Sequence, residues 1–225
     1  MQYLVDNGVR PSNIYLVGDS AGGNLILQVL AHALHPIPSV PRLKLSEPLA
    51  GAYLMSPWVA LASIPDDPDS SMITNDDCDM IGPDALFYWA SRVLDADLVA
   101  NEAIPYLEPL RASRDWFTDV AAVVDRVLIS AGDKECLRDV IIRFGQALCS
   151  VHPRARLIVQ EHGVHDDPQM DFMLPVCDKV EVEVEVEDKG KAKTQKTVKV
   201  MRDTVKVGAL TPVIIGWLAE GWKKS

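Results

Sequence analysis

A chain of 225 residues, 48% apolar and 24% charged, is long enough to bury one α/β core and too short for a second full domain. Its formal net charge of -10 excludes the basic surface that nucleic acid binding requires. The four cysteines, Cys78, Cys136, Cys149 and Cys177, have neither the spacing of a zinc site nor that of a disulfide framework. They read as reduced thiols of an intracellular protein, cytoplasmic by default, because no run reaches the ~18 apolar residues of a membrane span and no signal peptide is visible.

Met1 to Asn7 reads as the last two turns of a helix stopped by Asn7-Gly8. So short a helix is marginal alone, and the expectation is that the chain begins inside an element whose upstream part is absent. Ile14 to Val17 is a strand that runs into Gly18-Asp19-Ser20-Ala21-Gly22, and Leu25 to Leu34 is a buried helix. Such a strand, sharp turn and helix would hold Ser20 in a strained conformation with its Oγ exposed. Gly18 and Gly22 are expected where a Cβ would strike a neighbour, and the Ala21 N–H would face an oxyanion. The competing reading, a glycine-rich phosphate cradle, would call for a lysine near the glycine pair, and there is none.

Gly51 to Met55 is the next buried strand, closed by Ser56-Pro57-Trp58, and the order strand, helix, strand implies a parallel crossover. Ile64 to Asp84 is acidic and aperiodic, a surface excursion or part of a lid, with Asp66, Asp67, Asp69, Asp76, Asp77 and Asp79 expected to serve solvation. Ala85 to Leu94 can form a helix with Leu86, Tyr88, Trp89 and Val93 as apolar members. Arg126 to Ala131 is a third strand, followed by Gly132-Asp133-Lys134-Glu135 and a helix carrying Leu137, Val140, Ile141, Phe144 and Leu148. Arg156 to Gln160 is a fourth, followed by Glu161-His162-Gly163-Val164-His165. Ser20, Glu135 and His165 thus each lie just past a strand's carboxyl end, the edge where open α/β sheets gather functional groups. Lys179 to Val207 alternates valine with glutamate and then with basic residues, as a charge-complementary hairpin or a low-complexity insert. A last amphipathic helix starts with Thr211 as N-cap and Pro212 as its first residue.

Acyl transfer needs a nucleophile, a base and an acid that orients the base, and the order Ser, acid, His is that of α/β hydrolases. The segments GDSAGGNL (18–25), MSPW (55–58), GDKECLRD (132–139) and GVHDD (163–167) resemble the hormone-sensitive-lipase-like esterases, with a flavour of fungal steryl acetyl hydrolases. The resemblance implies a single α/β-hydrolase domain over 1–225, partial because it lacks the first strands and the His-Gly-Gly-Gly oxyanion loop, with an insert at about 179–207. It also implies Ser20 as nucleophile, Ala21 as an oxyanion donor, His165 as base, and Glu135 as acid with Asp133 as the alternative. His162 is the rival base, standing where the family usually has glycine. The function implied is a serine carboxylesterase acting on a small acyl ester, an acetylated sterol among the candidates, with no metal or organic cofactor. The other reading is a catalytically impaired relative that binds a ligand. Oligomeric state is left open.

Overall fold

A computed structural model of the chain describes residues 1–62, 67–94, 101–173, 182–186, 194–198 and 210–222. In chain order the front half holds α1 (Gln2–Asp6), β1 (Tyr15–Asp19), α2 (Ser20–Leu34), β2 (Gly51–Met55), α3 (Ser71–Thr74), α4 (Pro83–Val93) and α5 (Ile104–Leu107). The back half holds β3 (Val127–Gly132), α6 (Arg138–Val151), β4 (Ala155–Gln160), α7 (Asp167–Met173), β5 (Val182–Val186), β6 (Thr194–Val198) and α8 (Leu210–Trp222). Two compact units result, one of residues 1–167 with 218–225 and one of residues 168–217.

The larger unit is built on a parallel sheet of order β1-β2-β3-β4. Because all four strands run the same way, their carboxyl ends share one edge, as the strand–helix–strand pattern predicts. β2 and β3 are central and nearly wholly buried, which is why GAYLM and VLISAG are almost unbroken apolar or small-residue runs. β1 and β4 flank them and alternate between half-buried and exposed positions. Helix α2 packs on β1 and β2 through Leu27, Leu30 and Ala31, and α6 packs on β3 and β4 through Ile141, Phe144 and Leu148. At Gly145 the helix approaches β4 closely: a Cβ there would come within 2.9 Å of a Leu157 methyl, and that side chain would have to shift.

Several local expectations need correction. Helix α2 begins at Ser20, five residues before the apolar periodicity does. Its first turn is held instead by buried Asn24, whose amide donates to the carbonyls of Trp58 (2.7 Å) and Leu107 (2.8 Å). In α4, which forms as expected over Pro83–Val93, only Leu86 and Ala90 are buried, and of the other apolar members Tyr88, Trp89 and Val93 face solvent.

In the smaller unit, β5 and β6 pair antiparallel, with Glu183 opposite Thr197 and Glu185 opposite Gln195. The ladder therefore does not set Glu opposite Lys as a charge-complementary hairpin would; residues 187–193, between the two strands, lie outside the described residues. Helix α8 starts at Leu210, so Thr211 is already helical rather than its N-cap, and its hydroxyl bonds the Asp171 carboxylate. No helix among the described residues is long and apolar enough to cross a membrane.

Candidate active site

Ser20 sits at the junction of β1 and α2 with φ of +47°, a backbone region that costs a side-chain-bearing residue of order 1–3 kcal/mol. Neighbouring chain over-determines the turn. A Cβ on Gly18 would lie 2.6 Å from the Gly22 carbonyl group, and one on Gly23 would lie 2.8 Å from Pro57. Gly22, by contrast, would meet nothing closer than the Asp19 carboxylate at 3.7 Å, so Gly23 rather than Gly22 is the second glycine that packing demands. The Trp58 N–H donates to the Ser20 carbonyl at 3.0 Å, which gives the Ser56-Pro57-Trp58 segment its role as a buttress of the turn. Ala21 is exposed, and its N–H belongs to the first turn of α2, where no intrahelical acceptor exists.

Past β3, the loop 133–137 carries Glu135 to full burial. Past β4, the loop 161–166 does the same for His165. These two loops touch through backbone: Lys134 N–H donates to the Gly163 carbonyl at 2.8 Å, and a Cβ on Gly132 would lie 2.2 Å from that same oxygen. The close approach brings Glu135 Oε2 within 3.4 Å of His165 Nδ1. Asp133 makes no ion pair with His165 among the described residues; its N–H is bonded to Gln160 and its carbonyl to Asn75 and Arg138. His162 is exposed at φ of +59°, 3.8 Å from Glu161, and stands outside the cluster.

A second carboxylate reaches the imidazole. Asp166 Oδ2 lies 3.5 Å from His165 Nε2, which makes no hydrogen bond among the described residues, to Ser20 included. Asp166 is itself held at φ of +55°, its N–H donating at 3.2 Å to the hydroxyl of Ser56, another residue of positive φ. Burial raises the Glu135 carboxyl above the ordinary range, with the His165 imidazole and the Ser56 hydroxyl opposing it. Burial also pushes the Asp166 carboxyl up to about 6, reinforced by the charges of Asp19, Glu135 and Asp79 and opposed by His165. For His165, burial disfavours the charged form, yet Glu135, Asp166 and Asp79 together outweigh it, and the imidazole is raised. Nothing among the described residues groups His, Cys, Asp and Glu as metal ligands.

Two participants were read differently from sequence. Asp79, expected to serve solvation, accepts hydrogen bonds from the backbone of both loops. Ser56 was read only as a strand terminator and instead supports the residue after His165. Asp79 has no motif, and its signal is the density of Ser, Asn and Asp in the excursion, which suits side-chain-to-backbone bonding as well as it suits solvation; Ser56 lies within MSPW, which carries the resemblance but assigns the hydroxyl no partner.

Comparison with known proteins decides the family. The alpha/beta hydrolase fold family matches residues 1–167, the stretch that contains the whole parallel sheet and its edge. The chain belongs to that family. Among solved structures, this alpha/beta hydrolase is similar to EstE5, at 27% identity and a TM-score of 0.60 over 77% of this chain and 52% of that one. It is similar as well to an esterase/lipase from an uncultured bacterium, at 26% identity and a TM-score of 0.58 over 77% and 51% of the two chains. An esterase of the bacterial hormone-sensitive lipase family shares the fold at 24% identity, with a TM-score of 0.59 over 77% and 52%. The chain spans about half the length of these structures. No curated protein matches it.

Proposed function

We propose that this alpha/beta hydrolase acts as a serine carboxylesterase on small acyl esters, with Ser20 as nucleophile, His165 as base and Glu135 as the orienting acid. The observation that carries the reading is the buried Glu135–His165 pair, 3.4 Å apart at Nδ1, on the same sheet edge as the strained Ser20 turn. An acid at Nδ1 keeps that nitrogen protonated and leaves Nε2 to take a proton. In the scheme, Nε2 takes the Ser20 Oγ proton as Oγ bonds to the ester carbonyl carbon. The carbonyl oxygen becomes an oxyanion facing the Ala21 N–H. The imidazolium then gives its proton to the leaving alkoxide, and the C–O ester bond breaks. Water, deprotonated by the same nitrogen, cleaves the acyl-enzyme and returns the proton to Ser20.

An ester of a short acyl chain is the proposed substrate class, and p-nitrophenyl butyrate is a suited probe because EstE5 has been soaked with it for structure determination. An acetylated sterol is the finer proposal, tested by comparing release of acetate from a sterol acetate with release from a simple alkyl acetate. For the wild-type chain the proposal expects p-nitrophenyl butyrate turnover that falls about 10³-fold or more in Ser20→Ala and His165→Ala. Glu135→Gln should retain more of it than either. Equal turnover in Ser20→Ala and wild type would overturn the assignment.

One observation favours the second reading, a ligand-binding protein of impaired chemistry: His165 Nε2 faces Asp166 instead of bonding Ser20. On that reading Asp166→Ala restores no turnover, and the folded chain binds an ester without cleaving it.

A further inference from the structure

The connection between β2 and β3 does more than link two strands. Between Ser70 and Gly82 it lays a series of side chains along the loop that carries Glu135. The Ser71 hydroxyl donates to the Cys136 carbonyl at 2.8 Å and accepts from Asp139 N–H at 3.1 Å, while Ser71 N–H donates to Asp139 Oδ2 at 2.7 Å. The Asn75 amide donates to the carbonyls of Asp133 (3.2 Å) and Glu135 (3.0 Å). All of these bonds end on the loop 133–137 or on the first turn of α6 that follows it. Asp79 is different: its Oδ2 accepts from Cys136 N–H at 2.7 Å and its Oδ1 from His165 N–H at 2.9 Å.

Each oxygen of one carboxylate thus holds the main chain of a different loop, beside the acid on one side and at the base itself on the other. Charge-assisted bonds of this kind are roughly twice as strong as neutral ones and fix both direction and distance. We infer that Asp79 is the positioning residue that sets the separation of Glu135 and His165, clamping the two loops from a segment that carries neither. This rests on the triad reading above for its catalytic consequence, but not for its structural content. Alongside the clamp, the glycine contact of Gly132 with Gly163 fixes how closely the loops approach, and Asp79 fixes their register along the edge.

Asp79→Asn keeps the shape and removes one acceptor, turning an –NH2 group against one of the two N–H donors. Three effects are expected of it. The turnover number falls about 10- to 100-fold with KM within about twofold, the size of loss that a small misplacement of catalytic groups produces. The His165 imidazole, faced by Glu135, Asp166 and Asp79 itself, titrates at lower pH by NMR, since one raising charge is gone and Glu135 is less well held. The Cys136 and His165 amides lose hydrogen-exchange protection together. Ser71→Ala, which loosens the same segment without touching His165, should lower the melting temperature and leave the imidazole titration unmoved.

An imidazole titration and amide protection in Asp79→Asn equal to wild type would overturn the inference, as would a Ser71→Ala variant that shifts the imidazole equally. Should Asp79→Asn not fold, the wild type decides: an unprotected amide at Cys136 or His165 contradicts the clamp, and protection of both supports it. Failure of the triad reading is distinguishable, because it appears as a folded wild type unreactive at Ser20, whereas the imidazole and amide measurements require no activity.

Discussion

Two carboxylates bracket the His165 imidazole, and they pull on its chemistry in different ways. Glu135, at Nδ1, is oriented to hold the tautomer a base requires; Asp166, at Nε2, stabilises the imidazolium that a base must lose. Since the folded-state imidazole is raised above its ordinary 6.5, it stays protonated to higher pH, and esterase activity should rise through a correspondingly high acid limb. Asp166→Asn removes one raising charge, so the acid limb of its kcat–pH profile should move to lower pH; an unmoved limb would contradict the assignment of His165 as base. The same residue makes a prediction about stability. With its carboxyl raised to about 6 from the ordinary 3.8, Asp166 binds more protons in the folded than in the unfolded state between those values, so its ionisation opposes folding as pH rises. At about pH 7.5, Asp166→Asn should be more stable than wild type by on the order of 1 kcal/mol, an advantage that vanishes near pH 4. Urea unfolding at the two pH values checks this, and a uniform loss at both would contradict it.

At the scale of elements, the loops are fitted to one another by glycine. Gly132→Ala would drive a Cβ against the Gly163 carbonyl at 2.2 Å, a backbone atom that cannot swing aside, and should cost about 3 kcal/mol or more. Gly22→Ala meets only ordinary contact, so its melting temperature should stay within a few degrees of wild type or rise, as removal of a helical glycine usually allows. Thermal unfolding followed by circular dichroism separates these outcomes, and equal losses would contradict the contact picture. These elements also show what a sequence carries. β2 and β3 were legible because both faces of a central parallel strand are apolar, and the placement of Ser20, Glu135 and His165 past three carboxyl ends of one sheet was legible because the strands themselves were. Asp79, Asn24 and Ser56 were not, since each acts through hydrogen bonds to backbone 34 to 110 residues away, and no local periodicity encodes such a partner. The apolar members of α4 do not by themselves give its inner face: Tyr88 and Trp89 are exposed, and the positions of Leu86 and Ala90 meet the core.

For the molecule as a whole, the larger unit concentrates its apolar core between β2, β3, α2 and α6, while β1 ends the described sheet with Val17 58% exposed. An exposed, apolar end strand is a template for pairing with other chains. Val17→Lys should therefore reduce light scattering of the concentrated chain with little change in its melting temperature, whereas unchanged scattering would show that this strand does not drive association. The family match covers the sheet and both loops at its edge, so the chemistry proposed rests on parts that lie within one unit. That chemistry stands or falls with Ser20 as a nucleophile on the same sheet edge as the Glu135–His165 pair. Intact-mass analysis of the folded chain after fluorophosphonate treatment tests it most directly. One adduct per chain, mapped to Ser20, absent in Ser20→Ala and slowed in His165→Ala, is the predicted result; a folded chain that takes up no adduct would contradict it.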